Sequence, residues 1–457
     1  MNNPTAISSE MVKKRFKLLP FRDIVLWDVK RYASEKITSI FPIVKLGLHI
    51  VEQNQKEKLF DSPEKEFGIL GISNKFGVFD AYKEMGANIN QAYKKMEEGW
   101  LAYNPYRVNV GSIGVKTAAQ KFQYISPAYV VFSCQNELLP DYLFKLFKTS
   151  RFNKIINERT TGSVRQNLTF DVLKTFDIPL PTINQQEKLL NSYYQKTEKA
   201  SEQDKLAVDK EKEIESFLLD TLGVKIEKPI KRKGISFIKF SKIERWAADY
   251  LFNAQSISGI TKANFPALRV KSFLKSYQYG LSLKASEIPN GIPMLRMNNV
   301  NNSELDIEDL KYIVLNEEEK KNVILNKGDL LFNRTNSKEL VGKTAVFELD
   351  QEFTFASYLI RLKLDTKKVN VHFINYLFNS QIGRTQIDLV SRQVSGQANV
   401  NAQELQEFIF PIPDLAIQNK IVGEISKLKE EVNSLRLKAE MNRKEALNSF
   451  EKAVFIK

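Results

Sequence analysis

The chain has 457 residues and a single cysteine, Cys134. One thiol forms no intrachain disulfide and no cysteine-based zinc site, and it points to a reducing, cytoplasmic setting. Histidine is equally scarce, with only His49 and His372. That leaves little material for a histidine-based metal centre or a histidine-dependent triad. Cys134 and His49 are therefore read as structural. No apolar run approaches the ~18 residues that a membrane-spanning helix needs, so no membrane is expected as a partner. The opening "MNNPTAISSEMVKKRF" lacks an apolar centre and is not read as a secretory signal.

What the chain does have is basic charge and length. Lys and Arg number 68 against 54 Asp and Glu, a net charge of +14. Such an excess favours a polyanion as partner, nucleic acid first. Apolar residues make up 43% of the chain, enough for ordinary cores, and the length predicts two or three domains.

The strongest signal is an internal repeat at a shift of about half the length. "GWLAYN" (99–104) matches "GDLLFN" (328–333), and "FPIVKL" (41–46) matches "FPALRV" (265–270). Trp27-Asp28 returns loosely as Trp246-Ala247, and Gly162 in "TGSVRQNLTFDVLKTF" corresponds to Gly396 in "SGQANVNAQELQEF". "IPLPTINQQEKLL" (178–190) matches "FPIPDLAIQNKIV" (410–422). The landmarks keep one order in both halves, which chance similarity would not do.

Each copy has two parts. The first mixes short β-type runs ("YVVFSC", "AVFEL", "YLIRLKL") with helical patterns at 139–156 and 370–383, and reads as a compact α/β (α+β) domain. A Pro-x-Pro punctuation then blocks helix (Pro179, Pro181; Pro411, Pro413). Beyond it the chain is rich in Lys and Glu and free of Pro. The second copy shows a 3–4 spacing at Ile421, Ile425, Leu428, Val432, Leu435, Ala439 and Ala446, a coiled-coil seam. The first copy keeps one row, Tyr193, Ala200, Ala207 and Ile214, while Lys196, Gln203 and Lys210 make its other row polar. Two such helices at the same place in a repeat are expected to pair, each ~60 Å long at 1.5 Å per residue. The expected division is a first domain over 1–182, a helix over 183–223, a basic linker (227–240) opening a second domain within 224–414, and a helix over 415–457.

Two α/β domains alternating with two similar helices, each introduced by a P-x-P segment and a Gln ("PLPTINQQEK", "PIPDLAIQNK"), resemble the specificity subunit of type I restriction–modification systems. "GDLLFNRTN" (328–336) and the Trp-Ala-Ala-Asp-Tyr stretch at 246–250 also look like that family. The first copy departs from it: Trp100 stands where Asp329 stands, and Pro105 where Arg334 stands. The resemblance implies two target-recognition domains, each reading one half of a split site on double-stranded DNA. It implies that the helices pair antiparallel as a pseudo-twofold coiled coil, fix the gap between half-sites, and dock two methyltransferase (modification) subunits. It also implies no catalysis and no cofactor on this chain; S-adenosylmethionine, ATP and Mg serve the modification and the restriction/translocase subunits.

Two stretches imitate catalytic motifs. Asn104-Pro105-Tyr106 resembles the Asn-Pro-Pro-aromatic motif of adenine methyltransferases. It has one Pro of two, no Gly-rich cofactor loop precedes it, and its counterpart "FNRTNSKELVGK" keeps only the Asn. Asn104 is thus expected to hold a turn. "SKELVGKT" (337–344) ends like a phosphate-binding loop but has Ser337 where Gly is needed and runs into a strand pattern. The acidic runs "DIEDL" and "EEEKK" read as solvated faces, and no metal site is expected. The alternative, a DNA methyltransferase or nuclease with its own specificity repeats, leaves no residues for a catalytic domain.

The candidates for DNA contact lie in the turn after the shared Asn and in a second segment of each copy. In the first copy these are Arg107, Asn109, Ser112 and Lys116, with Arg165, Gln166 and Asn167. In the second they are Arg334, Asn336, Ser337, Lys338 and Lys343, with Arg392, Gln397 and Asn399. Arg bonds guanine edges bidentately, Asn and Gln do so with adenine, and Lys and Ser suit phosphates.

Overall fold

The computed structural model describes residues 37–456, apart from 75–76, 109–110, 136, 160–166, 227–256, 302 and 395–396. The linker at 227–240, the Trp27 and Trp246 landmarks, Gly162 and Gly396 lie outside the described residues. The chain packs as two compact units, one of Met1–Asp204 with Leu437–Lys457, the other of Lys205–Arg436.

In unit 1 a four-stranded antiparallel sheet has the order Ile50–Glu52, Val130–Cys134, Leu101–Tyr103, Ile113–Val115. Unit 2 repeats it with Leu274–Tyr279, Leu359–Leu364, Leu330–Asn333, Thr344–Val346. The "FPIVKL" and "FPALRV" stretches form matching strands. Ile43–Lys45 pairs with Asp177–Pro179, and Ala267–Arg269 with Ile409–Pro411, in the same register. Each unit also contains a parallel pair, Glu66–Ser73 with Tyr124–Ile125 and Ile292–Leu295 with Thr354–Phe355. The repeat read from the sequence is therefore a repeat of topology.

The helical patterns at 139–156 and 370–383 are each broken in two, which the sequence reading did not anticipate. Helices run over Pro140–Lys148 and Ser150–Arg159 in unit 1, and over Val371–Asn379 and Gln381–Val390 in unit 2. One hydroxyl makes each break. Thr149 Oγ1 donates to Leu146 O (2.7 Å) and accepts from Phe152 N–H (3.3 Å). Ser380 Oγ donates to Leu377 O (2.8 Å) and accepts from Ile382 N–H (3.2 Å). A side chain that caps the end of one helix and the start of the next offers the backbone a better alternative than continuing.

The long helices span Ile183–Leu222 and Leu415–Val454, as the Pro-free runs predict. Each starts on a buried glutamine. Gln186 Nε2 donates to Glu137 O and Pro181 O (both 2.8 Å), and its Oε1 accepts from Leu139 N–H (2.9 Å). Gln418 repeats the set with Lys368 O (3.1 Å), Pro413 O (2.8 Å) and Asn370 N–H (2.7 Å). Both side chains are 0% exposed. The glutamine of the P-x-P segment thus locks each long helix to the helix pair of its own unit.

The two long helices pair antiparallel. In unit 1 Lys196 reaches Glu445 (2.6 Å) and Ser449 (2.8 Å), while Gln203, farther along, bonds Asn442 (2.9 Å). In unit 2 Lys210 pairs with Glu431 (3.0 Å) and Glu211 with Arg436 (2.7 Å). The polar row of the first helix therefore meets polar partners. Of the expected seam, Ala200, Ala207, Ile421, Ile425, Val432, Ala439 and Ala446 are buried, and Tyr193, Ile214, Leu428 and Leu435 are half-buried. Ile421 and Ile425 join the core of unit 2 beside Leu218 and Leu222, and Phe450 and Val454 join that of unit 1. A glutamate from the end of a long helix caps a short helix in each unit. Glu451 accepts from Ser150 N–H and Arg151 N–H (both 3.0 Å), and Glu215 from Gln381 N–H (2.9 Å). Among the described residues no helix is long and apolar enough to cross a membrane.

Candidate nucleic-acid interface

In both units the third and fourth strands of the repeated sheet order, Leu101–Tyr103 with Ile113–Val115 and Leu330–Asn333 with Thr344–Val346, are joined by the loop that carries the first candidates. The loop is closed by the backbone. Asn104 N–H donates to Ser112 O (3.1 Å), and Asn333 N–H to Lys343 O (2.8 Å). A glycine turns the chain near the far end of each loop, Gly111 at φ 86° and Gly342 at φ 85°, a region open to glycine and strained for other residues. A cation from the helix pair ties that end down. Lys148 Nζ donates to Gly111 O (2.8 Å), and Arg384 Nη1 to Val341 O (3.0 Å).

The shared asparagine acts differently in the two copies. Asn104 Oδ1 accepts from Tyr106 N–H (3.0 Å), an Asx turn that holds the chain as the sequence suggests. Asn333 is fully buried, and its Nδ2 donates to Met297 O (3.0 Å), so its side chain fixes a neighbouring segment instead.

A second segment meets each loop at the same point. Leu168 N–H donates to Pro105 O (3.0 Å) in unit 1, and Val400 N–H to Arg334 O (2.9 Å) in unit 2. The residues just before, Asn167 and Asn399, therefore stand beside the loop in both copies. In unit 2 this contact grows into a three-stranded sheet of Thr335–Asn336, Gln397–Asn399 and Arg392–Val394, in which Asn399 faces Thr335 on one side and Arg392 on the other. Two sequence-separated groups of candidates thus form one surface.

Within these clusters Arg107, Lys338 and Gln397 are exposed, Arg334, Ser337, Asn399 and Asn167 are half-buried, and Asn336 is buried. Three candidates need correction. Ser112 and Lys116 are buried at the base of the unit 1 loop and shape it rather than meet solvent. Lys343 lines a cavity of ≈ 550 Å³ with Glu211, Glu215 and Arg436 of the long helices. Burial, then Arg384, holds its ammonium below the usual lysine range, while Glu211 and Glu215 pull the other way. Asn109, Arg165, Gln166 and the side chain of Arg392 lie outside the described residues.

Several residues that build this surface are not among the contact residues picked out from the sequence. Tyr106, 55% exposed, sits on the unit 1 loop. Tyr279 carries the Arg334 guanidinium over its ring, 4.9 Å from the centroid. Tyr279 ends a strand in "SYQYG", where alternating aromatics before a glycine are the only local hint. Lys148 and Arg384 gave no signal at all, because their partners lie 37 and 43 residues away.

The structure defines the class as a duplicated α+β domain combined with two long helices that pair antiparallel. Residues 271–443 match the family model described as the type I restriction modification DNA specificity domain. The chain is 25% identical over 174 residues to the putative type I restriction enzyme MjaX specificity subunit of Methanocaldococcus jannaschii, covering 38% of this chain and 41% of that protein. It is 29% identical over 167 residues to the type I restriction enzyme EcoKI specificity subunit of Escherichia coli, covering 36% of each. The match thus spans well under half the length of either relative. A solved structure concerned with complex assembly and conformational transition of the type I R-M system shares the fold, with a TM-score of 0.52 at 15% identity over 92% of this chain and 99% of that one. The chain is thus similar to type I restriction enzyme specificity subunits, and the family-model match lies within its second half.

Proposed function

We propose that this chain is the DNA-reading specificity subunit of a type I restriction–modification enzyme, non-catalytic itself, with each unit reading one half of a bipartite site on double-stranded DNA. The observation that carries the reading is the duplication. Both units place a loop and a second polar segment at the same point of the same sheet, with different side chains on each. A shared scaffold with differing surface chemistry suits two half-sites of different sequence. The paired long helices act as the spacer between the half-sites and as the docking surface for two methyltransferase subunits, to which restriction/translocase subunits add. S-adenosylmethionine, ATP and Mg belong to those partners. The cytoplasm, where genomic DNA is methylated, is the setting this role requires.

The test is methylation with labelled S-adenosylmethionine, using the purified chain with and without cognate methyltransferase subunits. The reading expects site-specific methylation only when both are present. Methylation by the chain alone would overturn it in favour of a fused enzyme. Absence of DNA binding at low salt, even with the partner subunits present, would reduce the chain to a scaffold.

A further inference from the structure

Arg334 leaves its strand where the unit 2 loop begins, and its backbone is held on both sides. Its N–H donates to Tyr358 O and its carbonyl accepts from Val400 N–H, both at 2.9 Å. The guanidinium lies over the Tyr279 ring, and that ring is fixed at its far end, where the hydroxyl accepts from Ala402 N–H (3.1 Å). Among the described residues the guanidinium makes one long hydrogen bond, from Nη2 to Asn399 Oδ1 at 3.5 Å. Its Nε is buried without an acceptor.

The other described arginine side chains of unit 2 are occupied. Arg269 pairs with Glu407, Arg296 with Asp309, Arg361 with Asp329, Arg384 with Asp388 and Arg436 with Glu211. Two residues beyond Arg334, Asn336 is 8% exposed, and its Nδ2 also lacks an acceptor. A planar fork with a single long contact and an amide, both donors, thus stand on one loop, and Arg334 Nε and Asn336 Nδ2 have no acceptor among the described residues. Unit 1 offers a natural comparison. There Pro105 replaces the arginine, and Asn167, the counterpart of Asn399, has its Oδ1 buried with no partner. The asparagine acceptor is left over where the arginine is missing, which marks the Arg–Asn pair as one arrangement.

We propose that Arg334, laid on Tyr279 and braced by Asn399, reads the major-groove edge of a guanine in one half-site; this rests on the DNA-reading role proposed above. Guanine offers N7 and O6 side by side, the acceptor pair that a guanidinium fork matches. A phosphate offers the same acceptor chemistry without sequence information. The ring favours the base. The ring contact and the Asn399 bond hold the guanidinium in one place, a fixed geometry that a bidentate base contact requires and a phosphate contact does not. Tyr279 is then a positioning residue.

The test uses the complex assembled with its methyltransferase subunits and a duplex carrying its methylated site. Each guanine is replaced in turn by 7-deazaguanine, which removes N7 and keeps base pairing, and affinity is read by fluorescence anisotropy. The expected result is one guanine whose replacement weakens wild-type binding roughly tenfold. Arg334→Ala should already show that loss and no longer respond to the replacement. Arg334→Lys, which lacks the fork, should behave as the alanine variant. Tyr279→Phe, which keeps the ring, should respond as wild type, and Tyr279→Leu should lose the response. The proposal is overturned if no guanine responds, or if Arg334→Ala weakens cognate and unrelated DNA alike, the signature of a phosphate contact. The positioning role is overturned if Tyr279→Leu responds as wild type. The deazaguanine series on the wild-type complex needs no variant, so a misfolded mutant cannot hide the answer. A wild-type complex that fails to distinguish its site from unrelated DNA would instead refute the DNA-reading role itself.

Discussion

Replacing Gln186 by Met keeps the length and bulk of the side chain and removes its hydrogen bonds. Three backbone groups then lose their partner: Leu139 N–H, Glu137 O and Pro181 O. A buried polar group left unmade costs about 1–3 kcal/mol. Glu137 is exposed and Leu139 half-buried, so water can reach part of the set, while Pro181 stays buried. The total is about 3 kcal/mol, toward the low end for three groups. For a unit of this size each kcal/mol moves the melting temperature by ~2–4 °C, so a drop of ~6–12 °C is expected in the transition of unit 1. Gln418→Met should do the same in unit 2, where Asn370 N–H, Lys368 O and Pro413 O lose their partner. Calorimetry on the full chain measures both, and with two units the transitions are fitted separately rather than as one two-state event. A shift below 2 °C for both variants would refute the idea that these glutamines lock the helices to their units.

Ala200 is fully buried on the first long helix, so Ala200→Leu overpacks the helix pair and should cost ~1–3 kcal/mol; an unchanged unit 1 transition would count against tight packing there. Burial holds the Glu215 carboxyl above its ordinary value of 4.5, against the pull of Gln381 N–H and Lys343. A raised carboxyl favours the folded state below 4.5 and loses that advantage as pH rises through the folded value. Glu215→Gln, which keeps the acceptor and drops the charge, should therefore stabilise unit 2 at pH 7.5 and make no difference at pH 4; destabilisation at pH 7.5 would reverse the sign of the account. Removing one heptad from each long helix takes out ~10 Å of axis, the rise of ~3 bp, and should shorten the spacer of the recognised site while leaving its half-sites unchanged. Methylome mapping that found altered half-sites would sink the spacer role.

The repeat was legible because its landmarks are strands that pair in the same register in both copies, such as Ile43–Lys45 with Asp177–Pro179 and Ala267–Arg269 with Ile409–Pro411. The long helices were legible from Pro-free runs and a seam that the buried Ile425, Val432, Ala439 and Ala446 carry. Other features depend on contacts that no local pattern encodes. Thr149 and Ser380 sit inside unbroken 3–4 patterns, and the competing cap appears only in three dimensions. Ser112 and Lys116 have the chemistry of a solvent-facing turn, yet the fold buries them. The meeting of Arg334 with Asn399, 65 residues apart, is likewise a product of the sheet. Sequence reading named both residues, but not the Tyr279 ring beneath the arginine.

The central claim is that the duplicated units read two half-sites. It is tested most directly by mapping the sites methylated by the complex of this chain with its methyltransferase subunits, then repeating the map with the unit 2 segment 267–411 exchanged for that of a relative. The account predicts a bipartite site in which the exchange changes one half and preserves the other half. A contiguous site, or an exchange that leaves both halves unchanged, would contradict it.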